Sequence, residues 1–237
     1  DYEKFRVLKQ FVDVSSTLKK FVHASIIPVD MMVHAQEQLN MLSRYVSKRN
    51  IQDNIYILRH ADRFDTSFPA IWHARACKHR HDTPLSRVGF TQAAHATQYL
   101  VNKKINLDSI LSSPYLRTLQ TAEIIAARYD MLVKSEGGLS EGWHKNVASP
   151  SERCATFPYL DLNYKEEVHP KDGESYPKEF FSRIDEITKH IRSGSGNRLL
   201  VSHAGTSLAI AAGLLGWKPK RLGKIGPCQM IHLARMN

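Results

Sequence analysis

Asn54-Ile-Tyr-Ile-Leu58 runs straight into Arg59-His60-Ala61-Asp62-Arg63, and the reading of this junction decides the fold. A short apolar run that ends abruptly in charge reads as a buried strand whose carboxyl end opens on a polar rim. The same grammar recurs along the chain. Ser109-Ile-Leu-Ser112, Met131-Leu-Val-Lys134, Arg198-Leu-Leu-Val-Ser202 and a last run at 229–234 read as further strands. Helical stretches lie between them. One follows Thr83-Pro84-Leu85-Ser86 and runs to about residue 100. Another follows Ser113-Pro114, read as an N-cap and a proline at the first helical position, and runs to about residue 129. Residues 177–192 put Phe180, Phe181, Ile184, Ile187 and Ile191 on one side, and 204–215 give a last helix. Alternation of strand and helix predicts a three-layer α/β/α fold with a mostly parallel central sheet over 51–237.

Residues 1–50 read differently. Phe5, Leu8, Val12, Leu18, Phe21 and Val22 recur at helical spacing, Pro28 breaks the pattern, and 29–45 give a second helical stretch. An N-terminal helical extension is the expected result. Its apolar stripes need cover, either from the main domain or from a second copy of the chain.

The 237 residues are 42% hydrophobic and 24% charged, which excludes disorder, collagen and a disulfide scaffold as descriptions of the whole. Lys plus Arg number 33 against 23 Asp plus Glu, a formal charge of +10 that favours an anionic partner. Nucleic-acid binding is not expected, because the basic residues are spread along the chain and not interleaved with aromatics along a groove. The longest apolar run, 208–217, is half of the ~20 residues that a membrane helix needs, so no membrane partner is expected. Cys77, Cys154 and Cys228 are too few and too scattered for a disulfide framework. They fit a reducing compartment, and no secretory signal is visible, so a cytoplasmic location is expected.

Ligands of open α/β sheets bind outside the carboxyl ends of the strands. Arg59, His60 and Arg63 follow the first strand, Arg117 opens the helix after the second, and His203 follows the Arg198–Ser202 strand. Topology alone therefore brings two His and three Arg to one edge. Three guanidiniums repel each other unless an anion joins them, and their forks match phosphoryl oxygens. Backbone amides at the two helix openings would add to that attraction. Neither His neighbours a Cys or carboxylate at metal-ligand spacing. A neutral imidazole beside a clamped phosphorus is instead a nucleophile.

Ile57-Leu-Arg-His-Ala-Asp-Arg63, Ser112-Ser-Pro-Tyr-Leu-Arg117 and Val201-Ser-His-Ala204 together resemble the histidine phosphatase superfamily, also called the phosphoglycerate-mutase-like fold. The resemblance spans about 51–237. Within it, Gly138-Leu-Ser-Glu141-Gly-Trp143 and the basic insert after Arg63 look most like the suppressor-of-T-cell-receptor-signalling and ecdysteroid-phosphate phosphatase group. The ubiquitin-associated and SH3 modules of the former are not recognisable in 1–50. The resemblance implies a phosphomonoester hydrolase with no cofactor and no metal. His60 would attack phosphorus and carry a phosphohistidine. Arg59, Arg63, Arg117 and His203 would hold the phosphoryl oxygens. Glu141 would protonate the leaving oxygen and then deprotonate the attacking water. Phosphotyrosyl protein, steroid phosphate and small metabolites all remain open as substrate, and family precedent fits a homodimer.

Two departures bear on roles. Ala61 stands where the family has Gly, which is tolerable unless that position needs a positive φ. Ala204 follows His203 where the acid-phosphatase branch has Asp, so Glu141 is the main candidate acid and Asp62 its rival. A mutase of this fold shelters its phosphoenzyme with a tail or loop. The chain stops three residues after the predicted last strand, at Asn237, which favours hydrolysis. The alternatives are a phosphoglycerate-mutase-type phosphotransferase and a low-activity scaffold that binds a phosphorylated ligand.

Other features have plainer readings. His73, Cys77, His79 and His81 in the insert match no structural zinc spacing and sit among Arg75, Lys78 and Arg80. The insert reads as a basic lip over the pocket or as a solvated loop. Trp72, Trp143, Phe157 and Tyr159 would either wall a pocket for a bulky leaving group or pack the loops. Gly194-Ser-Gly196 precedes a strand and reads as a turn. Asp172-Gly-Glu-Ser175 reads as a helix cap.

Overall fold

The computed structural model describes residues 26–27, 51–75, 81–142 and 147–236. In chain order the elements are β1 (Ile26–Ile27), β2 (Ile51–Arg59), α1 (Phe64–Ser67), α2 (Pro69–Arg75), α3 (Arg87–Asn102), β3 (Ser109–Ser112), α4 (Leu116–Tyr129), β4 (Val133–Ser135), α5 (Pro150–Arg153), α6 (Lys178–Ser193), β5 (Arg198–Ser202), α7 (Ala204–Leu215) and β6 (Met230–Met236). The expected helix pair of the N-terminal extension lies outside the described residues. So do Trp143 and most of the basic insert, Cys77 and His79 included.

The sheet order is β1-β6-β2-β5-β3-β4. β2, β5, β3 and β4 run parallel, and β6 runs antiparallel to both β2 and β1. The mostly parallel sheet read from the sequence is therefore present, with an antiparallel edge on one side. β2 is longer than its apolar run, because pairing with β6 extends it back to Ile51.

Side chains alternate across a strand, and β2 shows both layers in four residues. Tyr56 and Leu58 pack with Leu100 of α3 and with Leu119, Ala122 and Ile125 of α4. Ile55 and Ile57 pack on the other face with Ile184 and Ile187 of α6 and with Ile210 and Leu214 of α7. Burial on both faces explains why the strand carries no polar alternation. α7 is apolar on nearly every side because it is enclosed on nearly every side. It ends at Gly216, whose φ of 66° is the left-handed stop that glycine adopts without steric cost. α6 follows its predicted stripe except at Phe181, which stands 38% exposed. Among the described residues no helix is long and apolar enough to cross a membrane.

Three parallel strands end at one level. Arg59 pairs with Ser202 and Ser112 with Val201. Backbone bonds carry the alignment past the strand ends, from His60 N–H to Ser202 O (2.8 Å) and from Ser113 N–H to Val201 O (3.0 Å). This registration places the chemistry-bearing residues side by side. One boundary differs from expectation. α4 opens after Tyr115, not after Ser113, and its first amide, Leu116 N–H, donates to Asp82 Oδ1 at 2.6 Å. Ser113 is thereby left for another task.

Candidate active site

His60 and His203 face each other across the strand ends, with ring centroids 5.3 Å apart in an edge-to-face arrangement. Both are fully enclosed. His60 Nδ1 lies 2.7 Å from Ala61 O. A carbonyl only accepts, so Nδ1 carries the proton and Nε2 of the neutral ring keeps its lone pair. Burial, and next the Arg117 guanidinium, hold His60 well below the usual imidazole range. The ring is thus neutral at ordinary pH, with a defined basic nitrogen.

His203 is fixed at both nitrogens. Arg117 Nη2 approaches Nδ1 at 3.1 Å, and Ser113 Oγ lies 2.9 Å from Nε2. Guanidinium only donates, so Nδ1 accepts and the Nε2 proton points at Ser113. Burial first, then Arg117 and His60, keep this ring uncharged as well. Tyr115 completes the packing, with its ring edge-on to His203 at 5.2 Å and 4.6 Å beneath the Arg117 guanidinium.

The three arginines surround this pair on different terms. Arg59 donates from Nη1 to Ile225 O at 2.8 Å. Arg117 donates from Nη1 to His81 O at 3.1 Å. Arg63 is engaged side-on by Asp65, Nε to Oδ1 at 2.8 Å with a second bond from Nη2 to Oδ2. Arg59 Nε and Arg117 Nε are buried without a hydrogen-bond partner among the described residues. An unsatisfied buried donor costs about 1–3 kcal/mol, so an anion that supplied acceptors would recover that cost. Burial and then Arg63 pull Arg117 down to about 10, against the opposing pull of Glu141. Burial likewise lowers Arg59, with Glu141 the main opposing influence. The cup is cationic and under-coordinated, which suits a phosphoryl group.

Glu141 sits at the rim, and its carboxylate acts on all three guanidiniums. Its Oε1 accepts from Gly205 N–H in the first turn of α7 at 3.2 Å. Asp62, the rival acid, is occupied. Its Oδ2 accepts from Ser67 Oγ at 2.8 Å and from Ser86 Oγ at 2.6 Å. Ser86 in turn caps α3 through Gly89 N–H. Gly89 is needed there, because a Cβ would stand 2.3 Å from Asp62 O. Asp62 is therefore a structural acceptor. Ala61 raises no backbone difficulty, since it is not among the residues with positive φ, and its N–H donates to Thr121 Oγ1 at 3.2 Å.

The five residues of the expected phosphate pocket and the expected acid thus come together. Phe157 belongs to the core and Tyr159 packs partly against it, so these two follow the loop-packing reading. Trp72 sits by Phe64, ring centroids 6.3 Å apart. Glu174 is no helix cap. It forms a buried ion pair with Arg183, which also reaches Gly138 O at 2.7 Å. Sequence reading missed Ser113, Asp65 and Tyr115. A capping role for Ser113 hides its bond to His203. Asp65 lies two residues past the motif, and its acidity beside Arg63 was the available signal.

Several known proteins are similar to this chain. Ubiquitin-associated and SH3 domain-containing protein B of Homo sapiens is 26% identical over 210 residues, covering 70% of this chain and 32% of that protein. Ecdysteroid-phosphate phosphatase of Bombyx mori is 28% identical over 139 residues, covering 53% of this chain and 21% of the relative. The chain thus spans about a third or less of these curated relatives. The crystal structure of the ecdysone phosphate phosphatase of the same species, in complex with tungstate, aligns with a TM-score of 0.63 at 20% identity, over 76% of this chain and 88% of that one. A putative alpha-ribazole-5'-P phosphatase from Escherichia coli aligns with a TM-score of 0.54 at 18% identity, over 78% and 94%. These two structures share the fold. Residues 55–235 match the Histidine phosphatase superfamily (branch 1), and the chain belongs to that superfamily.

Proposed function

We propose that the protein hydrolyses phosphomonoesters through a phosphohistidine formed on His60. The observation that carries this reading is the His60 tautomer. Ala61 O lies 2.7 Å from Nδ1 and accepts its proton, so the Nε2 lone pair is available inside a ring of three guanidiniums. In the first step a bond forms from Nε2 to phosphorus, the ester P–O bond breaks, and Glu141 gives its proton to the leaving oxygen. In the second step Glu141 takes a proton from water, the water oxygen attacks phosphorus, and the N–P bond breaks to release phosphate. Arg59, Arg63 and Arg117 balance the phosphoryl charge throughout. His203 gains a second donor when the phosphoryl dianion raises its proton affinity, and it then reaches the equatorial oxygens. No step calls for a metal.

The substrate class is a phosphate ester of a bulky apolar or aromatic alcohol. Phe68, between α1 and α2, and Ile71 of α2 are exposed, at 47% and 45%, and offer apolar surface on the segment that follows Arg63. Two of the similar proteins are named for ecdysteroid or ecdysone phosphate. Hydrolysis of an aryl phosphate in the presence of EDTA is the direct test, together with trapping of an acid-labile phosphoenzyme. His60→Ala is expected to abolish both. Unchanged turnover in that variant would remove the nucleophile assignment. A panel of steroid phosphates, phosphotyrosyl peptides and small sugar phosphates then ranks leaving groups.

A further inference from the structure

The acid loop is held by hydroxyls, and one of them comes from the phosphate side of the site. Ser202 Oγ, at the end of β5, donates to Leu139 O at 2.6 Å. Thr206 Oγ1, in the first turn of α7, donates to Ser140 O at 2.9 Å. Tyr115 OH, just before α4, donates to Gly142 O at 2.5 Å. Glu141 lies between the last two tethers. The upstream pair anchors the loop to β5 and α7. Downstream, the carbonyl of Gly142 takes its hydrogen bond from Tyr115, and a Cβ on Gly142 would meet nothing within 4 Å. The Tyr115 hydroxyl therefore supplies the link from the far side of Glu141 to α4.

Tyr115 is also part of the phosphate cradle's wall. Its ring lies under the Arg117 guanidinium and edge-on to His203, and it is almost wholly buried. One rigid side chain with two rotatable bonds thus touches the phosphoryl-binding group at its face and the acid's loop at its tip. We propose that Tyr115 is a positioning residue that sets the distance between Glu141 and the leaving oxygen by tying the acid loop to Arg117 and His203. The inference rests on the phosphatase reading above and adds a residue to it.

The physical expectation follows from what each half of the side chain does. Removing the hydroxyl frees Gly142 O and lets the acid drift, and displacements near 1 Å cost about 100-fold where orientation matters. A leaving group that departs readily needs little protonation, whereas a poor one needs the acid in place. Tyr115→Phe should therefore lower kcat for alkyl phosphates about 10- to 100-fold more than for p-nitrophenyl phosphate, steepening the dependence on leaving-group pKa. Tyr115→Leu, which also removes the ring, should in addition raise KM and weaken inhibition by tungstate. Tyr129→Phe is the control. It deletes a tyrosine hydroxyl from the far end of the same helix, where it bonds Ile105 O, and should behave as wild type. Hydrogen exchange across 139–142 gives a readout independent of turnover and should accelerate in both Tyr115 variants. An unchanged leaving-group dependence with unchanged exchange in Tyr115→Phe overturns the positioning role. Absence of His60-dependent hydrolysis in the wild type overturns the phosphatase reading instead, and the exchange experiment still decides whether the tether exists.

Discussion

Arg117 Nη2 lies 3.1 Å from His203 Nδ1, and the pair can form only if the imidazole is neutral and accepts there. A cation in van der Waals contact with an imidazolium would repel it, and burial of both would magnify the repulsion. The arrangement stores a site for negative charge, since an anion placed between the two relieves the field that keeps His203 unprotonated.

Arg117→Lys is accordingly not a conservative change. Lysine keeps the charge but loses the fork that serves His203 and an anion together. Each charge-assisted bond is worth about 1.5–3 kcal/mol, so loss of one or two predicts a fall of about 10²–10³-fold in kcat/KM for an aryl phosphate. Nitrogen-15 shifts of the imidazoles supply a second check. His203 should report the Nε2–H tautomer in the wild type and lose that preference in Arg117→Ala.

The acid side of the pH–rate profile has a defined sign. Burial and Arg117 lower His60, so its Nε2 lone pair stays available well below pH 6.5. Protonation of His60 cannot then produce an acid limb near neutrality. The expected kcat/KM for p-nitrophenyl phosphate is flat from about pH 7.5 to 6, where the ester's own second ionisation begins to intrude. Steady-state rates across pH 5–8, corrected for substrate ionisation, test this. An acid limb at pH 6.5–7 that vanishes on changing the leaving group belongs to the substrate and not to His60. One that persists with every substrate would show His60 to be unshifted.

Why the cup was legible and its supports were not follows from sequence separation. Arg59, His60 and His203 follow apolar runs, Arg117 opens the helix after another, and parallel strands that end in register bring them together. The partners that orient them have no such signal. Ser113 and His203 are 90 residues apart, Asp82 and Arg153 71, and Glu136 and Val168 32. Nothing periodic marks a lone Asp or Ser as the mate of a distant group. The same limit explains the shifted start of α4. Ser113-Pro114 has the chemistry of a cap, but Asp82 performs it from across the fold, which a local pattern does not reveal. The direction of β6 was equally silent, because an apolar run has no polarity.

Asp82 serves two elements at once. It pairs with Arg153 in a buried ion pair while its other oxygen caps Leu116, the residue before Arg117. Removing one member of a buried pair strands the other, at a typical cost of about 3–5 kcal/mol. Arg153→Ala is expected to lower stability by that order in urea titrations. Asp82→Ala should do the same and also weaken tungstate inhibition, since Leu116 N–H loses its acceptor and the start of α4 its anchor. The double variant Asp82→Ala/Arg153→Ala should cost clearly less than the sum of the single changes. Strict additivity would mean that the two side chains do not depend on each other.

Stability in acid should fall well before the carboxylates titrate, and His232 shows why. Its ring stacks on Tyr56 with centroids 4.5 Å apart, and Nε2 bonds Asn54 Oδ1 at 2.8 Å. Burial pushes it down to about 4 from the ordinary 6.5. Between those values the unfolded chain binds a proton that the folded chain refuses, so stability declines as pH drops through the window. The slope is about 1.4 kcal/mol per pH unit for one such group, and the full window amounts to about 3 kcal/mol for His232. His60 and His203 are lowered too and add to the slope below pH 6.5. Urea midpoints measured from pH 7.5 to 4.5 should therefore drop steeply. His232→Gln retains a donor for Asn54 but carries no titrating group, so its curve should be shallower by about one proton's worth. Parallel curves for variant and wild type would show that His232 is protonated in the folded state as readily as in the unfolded one.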